Sequence, residues 1–129
     1  MSPATRARAV AAAVSVSTLL VGLALFRWAH GPVRGLLGDV LVIVFLVAGL
    51  AAAGLGTARS RLVAVGVVAL GTELFQGLHL VPRDAPWWVH LTVGSTFDPV
   101  DFAAYAVGLA LAALAERSWG PTRDLRAAG

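Results

Sequence analysis

The 129-residue chain is 58% hydrophobic and 13% charged, with a mean hydropathy of +0.81. A soluble domain of this size has too little interior to hide that much apolar surface, so the composition predicts an integral membrane protein with room for one compact bundle. The formal charge of +3 sets ten arginines against seven acidic residues, and the arginines are placed at the ends of apolar stretches rather than in one patch, which argues against a nucleic-acid surface; the absence of cysteine excludes disulfides and thiolate chemistry.

Residues 1–8 read as a short basic tail. Residues 9–28 are mostly apolar and long enough to cross a hydrocarbon core ~30 Å thick. An uncleaved anchor is preferred to a signal peptide, because the small-x-small step Gly22-Leu23-Ala24 is followed by bulky Leu25 and Phe26. Residues 30–38, with Gly31, Pro32, Gly35 and Gly38, read as a turn. A second span is predicted over 39–56 and a tight link over 57–60. The third span, 62–80, is interrupted by Glu73 and Gln76. Residues 81–97 form the longest loop, holding Pro82, Pro86 and Trp87-Trp88. The fourth span covers 99–115, Glu116 to Trp119 mark the next interface, and a polar tail expected to be disordered begins at Gly120. Short links favour neighbours that run in opposite senses. The expected fold is therefore all-α and integral to the membrane, an antiparallel bundle of four transmembrane helices in a single domain, 1–129.

Four spans place both termini on one side, together with Arg6, Arg8, Arg59, Arg61, Arg117, Arg123 and Arg126; Arg27, Arg34 and Arg83 fall on the other. The excess of arginine in short loops marks the cytoplasmic face, so a multi-pass protein of the cell membrane with cytoplasmic termini is expected. Trp28, Trp87 and Trp88 then lie at the outer interface and Trp119 at the inner one.

The polar residues gather on the outer side. Asp98 then Pro99 reads as an N-cap followed by the first helical residue. Asp101 falls in the first turn, where a carboxylate meets free N–H groups. Asp101, Tyr105, Gly108 and Ala112 recur at four, three and four, one stripe that starts polar and becomes small, as faces turned toward other helices do. Glu73 and Gln76 share one face of the third span, Asp39 opens the second, and Arg34 lies in the outer turn. These residues form the candidate binding cluster: Arg34, Asp39, Glu73, Gln76, Asp98, Asp101 and Tyr105. An acidic side chain near the bilayer centre costs about 2.5–3.5 kcal/mol on insertion scales, so Glu73 should face the bundle and hold a partner. It reads in three ways: a structural lock bonded to Tyr105 or Arg34, part of a site for a polar or cationic ligand, or a proton-carrying or catalytic carboxyl. Oxygen ligands with His79 or His90 do not show the spacing of a metal motif, and no nucleophile elbow, phosphate loop or nucleotide fingerprint is present. No cofactor or metal is expected.

In combination, Gly38-Asp39, Glu73-Leu74-Phe75-Gln76-Gly77 and the run from Gly94 to Gly108 resemble domain of unknown function 2809, over roughly residues 33–110. That family of small bacterial membrane proteins is similar to the VanZ-like proteins, which carry a Glu-x-x-Gln step and an Asp-bearing helix. The resemblance implies a membrane fold and an envelope role, some VanZ-like proteins being linked to glycopeptide-type antibiotic resistance. It names no reaction. Three functions are compatible: an envelope protein binding a lipid-linked component or a partner membrane protein, an enzyme acting on a lipid headgroup, or a small oligomeric transporter with Glu73 as the coupling carboxyl. The lipid bilayer is the expected surrounding, and nucleic acid is not an expected partner.

Overall fold

The computed structural model describes residues 1–78, 82–92 and 99–119. Its elements are α1 (Pro3–Trp28), α2 (Gly31–Ala52), α3 (Ala58–Gly77), the short α4 (Trp87–Thr92) and α5 (Val100–Trp119), with no strand among the described residues. Two of the helices, α1 and α2, are long and apolar enough to cross a membrane.

α1, α2 and α3 begin earlier than the apolar stretches do. α1 starts at Pro3, not at residue 9, because Ser2 caps it: the Ser2 side chain accepts from the Thr5 N–H, and Pro3 occupies a first-turn position that needs no donor. The expected turn over 30–38 is instead the first part of α2. The turn itself shrinks to Ala29 and His30, with Gly31 at φ +73°, and Pro32 stands in the first turn, where its fixed φ and missing N–H suit a helix start. Gly35 and Gly38 then continue the helix.

The link from α2 to α3 is built from three local devices. Gly54, at φ +72°, donates to Ala51 O while Leu55 donates to Leu50 O, the paired bonds of a Schellman stop; this ends α2 at Ala52 rather than near residue 56. Thr57 and Ser60 then form a reciprocal capping box that starts α3 at Ala58 rather than 62. Arg61 Nη1 spans the gap by donating to Leu55 O at 2.9 Å and Gly56 O at 2.7 Å. α5 extends to Trp119, beyond the expected end at 115, because Glu116 and Trp119 are buried against the other helices.

Residues 8 and 15 of α1 meet residues 52 and 45 of α2, through Arg8 Nε to Ala52 O and Ser15 Oγ to Phe45 O, so this pair runs in opposite senses. Residues 61 and 73 of α3 meet 116 and 105 of α5, and that pair is also antiparallel. α2 lies centrally and touches α1, α3 and α5. Its Ile43, Val44 and Val47 pack with Val65, Ala69 and Ala112, while Ala48 and Ala51 pack with Ala11 and Trp119. Trp119 is thus a buried side chain.

The surface reverses the pattern of a soluble bundle. α3 exposes Val63, Val67, Val68, Leu70, Leu74 and Phe75, and α5 exposes Val100, Val107, Leu111 and Leu114. Their buried faces carry Glu73, Gln76, Glu116, Gly108 and small alanines. Bulky apolar groups outside and polar or small groups inside are the arrangement that lipid favours.

Candidate functional site

Glu73 and Gln76 are three residues apart, so both fall on the inward face of α3. Glu73 is 0% exposed and Gln76 5%. Across from them, α5 presents Asp101 in its first turn and Tyr105 one turn later, both half-buried. The Tyr105 hydroxyl donates to Glu73 Oε1 at 3.0 Å. Asp39, half-buried on α2, lies within electrostatic reach of that hydroxyl, as do Glu73 and Asp101. Gly108 explains how α2 comes so near: a β-carbon there would lie 2.8 Å from Ile43 Cβ and 3.1 Å from Val40 O. The close approach of α2 and α5 at Gly108 and Val40 brings Asp39, the residue before Val40, within electrostatic reach of Tyr105.

Two of the expected residues, Glu73 and Tyr105, therefore form one phenol-carboxylate pair, and two more, Asp39 and Asp101, lie within electrostatic reach of its hydroxyl. Gln76 sits one turn along from Glu73, at the level that the α3–α5 register assigns to Asp101. Its Oε1 is buried with no hydrogen-bond partner among the described residues. Arg34 is placed elsewhere. It is exposed, with its guanidinium 5.1 Å from the centre of the Phe26 ring, a cation–π contact that closes the α1–α2 hairpin. Asp98, His79 and the side chain of His90 lie outside the described residues, as does the tail from Gly120. Among the described residues no group of three or more acids or histidines is placed to hold a metal ion. The site presents acidic and amide oxygens, and its hydrogen-bonding capacity is weighted toward accepting.

A second polar cluster, absent from the sequence-based expectations, holds the opposite end. Arg61 forms a two-pronged ion pair with Glu116, Nε to Oε1 at 2.7 Å and Nη2 to Oε2 at 2.8 Å. Trp119 Nε1 donates to Glu116 Oε2 at 3.2 Å. The register could have revealed it: if Glu73 faces Tyr105 on antiparallel helices, then about three turns away residue 61 must face residue 116. Between the two clusters, Phe45, Gly49, Ala64 and Val68 line an open apolar groove of about 350 Å³ between α2 and α3. It holds no polar group and is not part of the candidate site.

Among the comparisons with known proteins, no curated protein and no solved structure matches the chain. The model of one family, described as protein of unknown function (DUF2809), matches residues 28–109. The match takes in α2, α3 and the first half of α5, and with them every residue of the cluster around Tyr105. Covering more than half of the 129 residues, it shows that the chain belongs to the DUF2809 family.

Proposed function

We propose that the protein is a multi-pass protein of the bacterial cell envelope, in which α1, α2, α3 and α5 all cross the membrane and the cluster of Asp39, Glu73, Gln76, Asp101 and Tyr105 binds a ligand in the outer half. The observation that carries this reading is the complete burial of Glu73, with Gln76 beside it, behind helix faces of exposed valine, leucine and phenylalanine. Polar groups in lipid are retained where they line a pathway or a site. Asp98 would adjoin the cluster at the start of α5. The arginine distribution supports cytoplasmic termini and an external loop over 81–97. The likeness to VanZ-like proteins favours a lipid-linked envelope component, or a partner membrane protein, as the occupant.

The Tyr105–Glu73 hydrogen bond favours one competing reading, in which Glu73 only locks α3 to α5. A deletion strain screened against wall-active and membrane-active agents separates the two. The native gene should restore resistance, whereas Glu73→Gln should restore the protein level but not the resistance. Glutamine is nearly the same size and still accepts from Tyr105, so full rescue by Glu73→Gln would make the residue a structural lock.

A further inference from the structure

The apolar groove between α2 and α3 runs toward the basic end of the bundle. Gly49 and Ala64 are its small residues, Phe45, Leu50 and Val68 are bulky ones, and no hydrogen-bonding side chain lines it. α1 and α3 do not touch among the described residues, so nothing described closes its open side. Its volume of about 350 Å³ equals about twelve waters of ~30 Å³ each. A methylene is of similar size, so the groove takes most of one hydrocarbon chain. A piece of helix about 8 Å long and 10 Å across would need about twice that volume. At the C-terminal end of α2, Arg8 Nε donates to Ala52 O at 2.9 Å, and a β-carbon on Gly54 would lie 3.4 Å from Arg8 Cζ. The guanidinium therefore stands about 6 Å beyond Leu50 along the helix axis. Arg8 is exposed, and its two Nη groups hold no bond to a described residue. Arg6, Arg59 and Arg117 are exposed at the same end, where the one acid described, Glu116, is taken by Arg61.

We propose that an anionic phospholipid binds here, one acyl chain lying in the α2–α3 groove and the phosphate accepting from the Nη groups of Arg8. The inference rests on the reading that α2 and α3 both cross the membrane. A guanidinium presents paired donors that match phosphate oxygens, and the glycerol and ester groups bridge the short distance from Arg8 to the groove. A choline or ethanolamine headgroup carries a cation of its own into a region already set positive by Arg6, Arg8, Arg59 and Arg117, whereas an anionic headgroup is drawn to it.

Phosphatidylglycerol with a diazirine in one acyl chain, added as a trace to phosphatidylcholine nanodiscs holding the protein, tests this after illumination and peptide mass spectrometry. Adducts should concentrate at residues 45–50 and 64–68, well above those on the exposed apolar face of α5 at Leu111 and Leu114. Unlabelled phosphatidylglycerol should compete, and the matching phosphatidylcholine probe should label the groove about fivefold less, the contribution of one basic residue beside an anionic headgroup. Arg8→Gln keeps a donor for Ala52 O and should erase that preference. Arg59→Gln, the same loss of charge at the same end, should retain it. Ala64→Phe fills the groove from an exposed position and should lower its labelling severalfold with both probes. Should Arg8→Gln fail to fold, the competition in the native protein and Ala64→Phe carry the test. Equal losses in Arg8→Gln and Arg59→Gln would reveal a general attraction to the basic end and overturn the proposal. Even labelling of α2, α3 and α5 without preference between the probes would overturn the lipid site and leave the four spans standing. Labelling of α5 with none in the groove would mean that a second copy or another protein segment fills it, and would also overturn the lipid site. Adducts confined to α1 and α2 would overturn the four-span reading itself.

Discussion

Replacing Arg61 with methionine is expected to destabilise the folded protein by about 3–5 kcal/mol, the cost of stripping a buried ion of its partner. Glu116 is 4% exposed and receives both prongs of the guanidinium, so its carboxylate would be left with Trp119 Nε1 as its remaining donor among the described bonds. The same change removes the hydrogen bonds to Leu55 O and Gly56 O that brace the α2–α3 link. The pair Arg61→Met with Glu116→Leu removes the stranded charge and should regain most of the loss, falling short by about 1 kcal/mol for the unfilled carbonyls. Reversible unfolding in mixed micelles, followed by circular dichroism, measures both. A loss under about 1 kcal/mol for Arg61→Met would mean that the pair is solvated and does not hold the helices.

Gly108→Ala should also destabilise, by about 1–3 kcal/mol, because the new methyl meets the Cβ of Ile43 and the carbonyl of Val40 rather than a flexible side-chain end. α2 and α5 must then move apart, and Asp39 moves away from Tyr105 with them. Gly49→Ala is the matched control. Its added carbon would lie 3.4 Å from Ser15 Oγ, an ordinary contact, so stability should change by less than about 0.5 kcal/mol. Equal losses at both glycines would show that helix flexibility, rather than close approach at Gly108, governs the effect.

Much of this arrangement is legible in the sequence, and what is not has physical causes. The inward face of α3 follows from the three-residue step between Glu73 and Gln76, and the stripe from Tyr105 to Ala112 follows from helical spacing, because polar and small residues stand out against valine and leucine. Helix ends are harder to read. Gly31 and Pro32 mark turns in most settings, yet proline is also well suited to a first helical turn, and α2 uses it so. The Arg61–Glu116 pair escapes a linear reading for a different reason. Its members are 55 residues apart, and each stands among helix-end charges that membrane orientation already explains. Only the antiparallel register of α3 and α5 brings them together. Arg34 has the opposite fate: its position in the outer turn suggests the cluster, but Phe26, across the short hairpin, offers a nearer aromatic face.

The proposed topology requires α3 and α5 to cross the membrane with their polar faces turned inward, and the labelling of single cysteines tests this most directly. The chain has no native cysteine, so Ser2→Cys, Ser60→Cys and Thr92→Cys each give one reactive position. With an impermeant thiol reagent on intact cells, Thr92→Cys should be labelled, while Ser2→Cys and Ser60→Cys should react only after the cells are opened. Protection of all three in intact cells would confine the crossing to α1 and α2, and labelling of Ser60→Cys with protection of Thr92→Cys would invert the protein; either result contradicts the account.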